Sequence, residues 1–234
     1  VKDKIKEIFI NLGAEVCGVA NIDLFIDAPK GFHPTDIYSD CKSVIVFAKK
    51  IPRGLAHVSP RIIYQHFNSI SPVELDRIAY LASNEIEKIY NGIAVPIPSD
   101  GPYDYWDEKN LEGRGMISMK HAAILAGIGT LGKSTLLLNS QYGNMISIGA
   151  VLTNLNLPSD AFAENICIKE CSLCIDKCPV NAISEHGVNQ KLCRNCAYAS
   201  NDRGFDVVNC NKCRTICPMA FGKKQRLCAN EPVR

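Results

Sequence analysis

Ten of the twelve cysteines in this chain of 234 residues fall between Cys167 and Cys228, and their spacing constrains the fold more than any other feature. The run Cys167-Ile168-Lys169-Glu170-Cys171-Ser172-Leu173-Cys174-Ile175-Asp176-Lys177-Cys178-Pro179 is one residue longer than the C-x2-C-x2-C-x3-C-P pattern of two-cluster ferredoxins. Close spacing suits a [4Fe-4S] cubane, because one tight loop can reach three of its corners. The fourth cysteine, held before Pro179, turns away to the other cluster. A second motif, Cys210-Asn211-Lys212-Cys213-Arg214-Thr215-Ile216-Cys217-Pro218, repeats the end of the pattern but lacks a cysteine three or four residues upstream. Its missing ligand is Cys193 or Cys196. The crossed assignment gives one cluster Cys167, Cys171, Cys174 and Cys217. The other takes Cys178, Cys210, Cys213 and Cys193, with Cys196 as the substitute for Cys193. Pairs of C-x2-C also build zinc sites, but zinc gives no reason for C-x2-C-x3-C-P to occur twice.

So many cysteines in a short secreted chain would suggest disulfides. Here Lys2, Lys4, Lys6, Glu7 and Glu15 interrupt the first twenty residues, which excludes the apolar centre of a signal peptide. No apolar run approaches the roughly 18 residues that cross a bilayer. The chain therefore reads as cytoplasmic, without a membrane partner, and its clustered thiols read as ligands. Cys17 and Cys41 stand alone and are expected as small buried apolar residues. The formal net charge of +2 is scattered, so nothing demands nucleic acid or an anionic surface. Lys223, Lys224 and Arg226 read as a solvated end.

Upstream of the cysteines, the pattern predicts an α+β fold. Ile5, Ile8, Phe9 and Leu12 share one helical face over Lys2–Leu12. Val16–Ala20, Ser43–Ala48 and Ile93–Ile97 are short apolar runs expected as strands. Pro29–Asp40 reads as loop. Pro72–Tyr90 is expected as a helix capped by Ser71, with Pro72 at its first position, and Ser118–Ala126 as another. Ser134–Asn139 and Met145–Thr153 are expected as strands joined by a hairpin turn at Gln141–Asn144. The composition changes near Leu157, which divides the chain into residues 1–156 and 157–234.

Gly127-Ile128-Gly129-Thr130-Leu131-Gly132-Lys133-Ser134 matches the G-x-x-x-x-G-K-[ST] phosphate loop to the letter. That loop needs a strand before it and a helix after it, whose N-terminal amides hold the phosphates. Here a helical stretch precedes it and a strand-like run follows, so ATP binding is not expected.

The stretch His121–Leu157, followed by the double cysteine motif, resembles the epoxyqueuosine reductases and, more distantly, the cobalamin-dependent reductive dehalogenases. Leu12–Ala20 and Lys42–Ala48 are similar to the same family. The resemblance implies a nitroreductase-like cobalamin-binding domain followed by a ferredoxin-like domain with two [4Fe-4S] clusters. It also implies that His121, Gly127, Gly129, Gly132, Lys133, Ser134, Thr135, Tyr142 and Gly143 approach the corrinoid. Electrons from a low-potential donor such as ferredoxin or flavodoxin would pass through the clusters to the cobalt, which acts on a small substrate. The rival readings are an electron carrier that activates a separate corrinoid protein, and a flavin-binding iron–sulfur reductase.

Two departures bear on the substrate. The family's aspartate proton donor stands thirteen residues before the alanine of the Ala126-Gly127-x-Gly129 segment, where this chain has Gly113. The helical-repeat extension of the longer family members does not follow the second cysteine motif, which makes tRNA an unexpected partner. Proton delivery then falls to Tyr103, Tyr105 or Glu112, with Lys120 nearby. Phenols suit the task, because with an ordinary pKa of about 10 they carry their proton at neutral pH.

Overall fold

The structure, a computed structural model, describes residues 1–58, 62–101 and 103–223. Lys224 and Arg226 of the basic tail, and Cys228, lie outside the described residues. Helix α1 (Lys2–Asn11) leads into strand β1 (Val16–Asn21), a short helix α2 (Pro34–Ile37) and strand β2 (Ser43–Lys50). The long helix α3 (Ile62–Tyr90) returns to β3 (Ala94–Ile97) and a small hairpin of β4 (Tyr105–Asp107) and β5 (Glu112–Arg114). Helix α4 (Met119–Leu125) precedes β6 (Thr130–Leu131), β7 (Leu137–Leu138) and β8 (Ile146–Thr153). The cysteine-rich part contains α5 (Leu173–Asp176), β9 (Ile183–Ser184), β10 (Gly187–Val188) and α6 (Gln190–Ala197). It continues through β11 (Tyr198–Ser200), β12 (Asp206–Val208) and α7 (Lys212–Thr215).

The chain is a mixed α and β protein organised on one four-stranded sheet of order β1-β2-β8-β3, antiparallel throughout. The sequence of β2 explains why both faces are covered. Successive strand side chains point to opposite faces, and Ser-Val-Ile-Val-Phe-Ala is apolar on both. Val44, Val46 and Ala48 pack with Ala122, Ala123 and Ala126 of the α4 region. Ile45 and Phe47 face the other way, against Ile5 and Phe9 of α1 and Leu75, Ile78, Ala82 and Ile86 of α3. Phe47 meets the Phe9 ring at 5.0 Å between centroids.

Two expectations are corrected. The helix does not begin at Pro72 but at Ile62, and Pro72 lies inside it. Proline has no N–H to give the preceding turn, and its ring disfavours a helical neighbour. The extra turns are held by tertiary packing: Tyr64 is buried with Leu55, Met145 and Phe221. The second correction concerns Gln141–Asn144, which does not join two paired strands. β8 pairs with β2 and β3, and β7 pairs with β6. The short hairpin is therefore one connection earlier, where Gly132 N donates to Leu136 O at 2.9 Å. This places helix, glycine turn and strand in the reverse of the phosphate-loop order.

Candidate metal centres and cofactor cavity

The cysteine motifs fold into two neighbouring sets of thiols. Cys167, Cys171, Cys174 and Cys217 line one small pocket, closed by Leu138, Ile168, Leu173 and Met219. Burial, and then the neighbouring Cys167 and Cys171, push the Cys174 thiol up. Cys217 is pushed up to about 11 by burial and by Cys167, Cys174 and Cys171. The second set gathers around α6 and α7. Burial, followed by Cys210 and Cys178, raises the Cys193 thiol. Cys213 is pushed up to about 11, first by burial and then by Cys193, Cys210 and Cys174, against the opposing Arg214. Cys174 thus belongs to the first set and presses on the second.

The pocket brings Cys167, Cys171, Cys174 and Cys217 together, and Cys193 and Cys196 both lie within the electrostatic reach of Cys210 and Cys178. Among the described residues, no three His, Cys, Asp or Glu side chains converge on a point that a single metal ion could occupy. A cubane asks for something else, because each thiolate binds its own iron and the four surround a volume. The pocket lined by the first set has that form. Crowded, half-buried thiols also fit a polynuclear metal group, whose positive charge is what makes several adjacent thiolates tolerable.

Lys133 serves the first set directly. Its Nζ donates to the carbonyls of Lys169 (2.5 Å) and Cys171 (2.9 Å), pinning the loop between the first two cysteines. Gly132, Lys133 and Ser134 line the same pocket. Thr135 stands at φ +59° in the turn, a costly conformation for a β-branched residue, and its N–H donates to Gly132 O at 2.9 Å. Gly127 abuts the Ala161 carbonyl and Gly129 the Leu138 carbonyl. Gly143 has φ +62°, and a Cβ there would lie 2.1 Å from Met219 O, so only glycine lets the Cys217 arm cross so closely. Arg214 donates to Asn144 O, and Asn144 Nδ2 donates back to Arg214 O at 3.1 Å. Tyr142 points elsewhere, its hydroxyl donating to Glu15 at 3.1 Å.

A separate cavity of about 970 Å³ lies beside α4. Its wall combines apolar Phe25, Phe32, Ile97 and Ile117 with Lys120, His121, Tyr103 and Gly113. Gly127, Gly129, Gly132, Lys133, Ser134, Thr135, Tyr142 and Gly143 are not among its lining residues. The glycine segment sits instead against the first cysteine set and the chain around it. His121 is fixed by a 2.6 Å hydrogen bond between Nδ1 and Ser118 Oγ. Burial holds Lys120 below the usual lysine range, helped by Arg214 and opposed by Cys213 and Cys193. The same lysine therefore faces the cavity and feels the second cysteine set.

Of the proton-donor candidates and the nearby Lys120, Tyr103 and Lys120 line the cavity, whereas Tyr105 and Glu112 do not. Glu112 accepts from Arg114 at 2.8 Å, and the Arg114 guanidinium lies 5.1 Å over the Tyr105 ring. Tyr103 stacks on Trp106 at 5.7 Å, and its hydroxyl accepts from Arg194 Nη2 at 3.2 Å. A Cβ on Gly113 would press on the Tyr103 ring at 3.1 Å. Gln190 clamps this hairpin to α6, accepting from Gly113 N at 3.1 Å and donating to Gly113 O at 3.3 Å. The sequence carried no local signal for Arg194 or Gln190, whose partners lie 91 and 77 residues away.

Both the sequence and the mixed α and β fold resemble known proteins. No protein-family model matches the sequence. The epoxyqueuosine reductase of Vibrio cholerae serotype O1 is 25% identical over 92% of this chain and 66% of its own length. That of Aliivibrio fischeri is 35% identical over 40% of this chain and 28% of its own, and that of Listeria monocytogenes 29% over 49% and 32%. The matches thus span from about a third to just under two thirds of these relatives. Among solved structures, an epoxyqueuosine reductase with an epoxyqueuosine-modified tRNA-Tyr stem loop superposes with a TM-score of 0.65 at 17% identity, covering 97% of this chain and 66% of that one. The catabolic reductive dehalogenase NpRdhA superposes with a TM-score of 0.71 at 16% identity, covering 95% and 32%. The resemblance expected from the glycine segment and the cysteine motifs is therefore shown. The chain is epoxyqueuosine reductase-like in sequence and shares its fold with those reductases and with reductive dehalogenases.

Proposed function

We propose that this chain is an iron–sulfur reductase in which two [4Fe-4S] clusters, held by the crossed cysteine sets, feed electrons to a corrinoid in the cavity. The observation that carries this reading is the shared boundary between cavity and second set. Helix α6 supplies both Gln190 of the wall and Cys193, and Lys120 of the wall feels Cys213 and Cys193. On this reading residues 1–156 form a nitroreductase-like cofactor domain and residues 157–234 a ferredoxin-like one. A low-potential ferredoxin or flavodoxin supplies the electrons, and a small organic molecule is the substrate. The cavity, about 970 Å³, is at the upper end of the roughly 300–1,000 Å³ that small-molecule pockets span, room for part of such a cofactor. A corrinoid bound there would supply a low-potential cobalt for two-electron reduction.

The chain's own residues have separable tasks. Phe25, Phe32, Ile97 and Ile117 exclude water, which strengthens every charge interaction inside. Lys120 offers a cation at the cavity wall to an anionic group of cofactor or substrate, and His121 a ring oriented by Ser118. Tyr103 delivers the proton: its oxygen already accepts from Arg194, so its own O–H remains to donate into the cavity. Gly113, where the family's aspartate would stand, is what leaves room for that ring.

Anaerobic purification and reconstitution test the proposal. About eight iron and eight acid-labile sulfide per chain, with a corrinoid absorption spectrum, are expected; four iron, or stoichiometric zinc, would sink it. A flavin spectrum would establish the flavin reductase instead. Tyr103→Phe should slow turnover at least tenfold, about 1.4 kcal/mol of barrier, without moving the cluster potentials. Unchanged turnover would take the proton-donor role from Tyr103; no turnover at all, with electrons passed to a separate corrinoid protein, would leave the protein as a carrier. A second reading, tRNA as substrate, is favoured by the stem loop on the structurally similar reductase. Conversion of an epoxyqueuosine-bearing stem loop by the loaded protein would establish it against the expectation from the sequence.

A further inference from the structure

We propose that Cys196 is a reserve ligand of the second cluster, placed to take over the iron corner of Cys210. The inference rests on the two-cluster reading and extends it to a residue that the four-corner count leaves over. β11 and β12 pair antiparallel, with Tyr198 opposite Val208. The ladder goes one rung further, as Asn209 N donates to Ala197 O at 2.6 Å. Cys196, in the last turn of α6, and Cys210 are the residues next to that bonded pair. The Cys196 thiol lies within the electrostatic reach of Cys210, Cys178 and Cys193.

Helix α6 adds the second constraint. Its cap, Asn189, accepts from Leu192 N at 3.0 Å and fixes the turn that holds Cys193 and Cys196 three residues apart, on one face. The second set thus offers five thiols to four corners, whereas the pocket of the first set is lined by four. Exchange needs no electrons. The Cys196 thiol gives up its proton and bonds to iron, while the Cys210 thiolate leaves and takes that proton. Because the two residues flank the hydrogen bond between Asn209 N and Ala197 O, the swap is one of side-chain rotation. Its use is to keep the cluster nearest the cavity in place when the Cys210 corner is lost to oxidation or alkylation.

Metal counts, not turnover, decide the matter. Wild-type protein should carry about eight iron per chain; if it carries four, the two-cluster reading itself fails. Given eight, Cys210→Ala should keep eight, with an altered electron paramagnetic resonance signal from one reduced cluster. Cys210→Ala/Cys196→Ala should fall to about four, and Cys196→Ala alone should keep eight. Loss of one cluster in Cys210→Ala alone, or retention of both in the double variant, overturns the inference. Should Cys210→Ala not fold, alkylation of loaded wild-type protein decides. Iodoacetamide should modify Cys196, alone among the five thiols of the second set, without releasing iron. A label on Cys193 or Cys210 instead, or on none of the five, overturns the inference equally.

Discussion

Within the sheet, β2 alone contributes Val44, Ile45, Val46, Phe47 and Ala48 with no exposed surface, whereas α5 and α7, which carry Cys174 and Cys213, bury no residue. The first region is held by apolar burial, at roughly 1.5–3 kcal/mol for each large side chain. The second has short helices, two-residue and three-residue strands, and crowded thiols. Such a segment cannot bury enough apolar surface to offset its ordering entropy. The contrast teaches that the sheet region has the apolar packing to fold by itself, while the cysteine region, on the two-cluster proposal, draws its order from what the thiols bind.

The largest test of that contrast is to strip iron and sulfide from loaded protein under argon and follow amide exchange by mass spectrometry. Protection should vanish across 167–217 and persist in β1, β2, β8 and α3; equal loss in β2 would break the distinction. Next in size, Phe47→Ala should cost about 3–5 kcal/mol in denaturant unfolding of the sheet region, because the ring fills the space between Phe9 and Gly149. A loss below 1 kcal/mol would mean that the layer repacks freely.

Lys133→Ala should act on the cysteine region alone. Removing its two hydrogen bonds to the Lys169 and Cys171 carbonyls is worth about 1.5–3 kcal/mol, as bonds from a charged donor. Expected is faster iron loss to a chelator with an unchanged sheet midpoint. The effect that is smallest at neutral pH appears only in alkali. Cys17 is pushed from 9.0 to about 12, mainly by burial, so the folded state keeps a proton that the unfolded state loses. Stability from this group is intact below pH 9 and falls by about 1.4 kcal/mol per unit above it, up to about pH 12. Cys17→Ala should flatten that decline in pH-dependent melting.

How much of this was legible in the sequence follows from the range of the interactions involved. Strands β1, β2 and β8 declare themselves as short apolar runs and helix α1 by its helical period, because burial of these elements needs only an apolar run or face. The grouping of Cys167, Cys171 and Cys174 in one pocket was legible too, since close motif spacing keeps them on one loop. Pro72 misled because a local rule for helix starts competes with burial of Tyr64, which the sequence does not display. The glycine segment was legible as a close backbone approach, yet not which neighbour approaches. Gly143 meets Met219 and Gly127 meets Ala161, contacts fixed only once the chain has folded back. The same holds for Tyr103, whose place at the cavity depends on Arg194 and Gln190.

Lys120 has a consequence for measurement. It stands in the cavity wall and within the electric field of Cys213 and Cys193, so whatever fills the cavity alters what those sulfurs feel. Linkage makes the effect mutual: a ligand that binds one oxidation state of the second cluster tenfold better shifts its one-electron potential by about 59 mV. Redox titration with candidate molecules present thus becomes a binding assay, in which the cluster serves as the voltmeter and no turnover is needed to recognise the substrate.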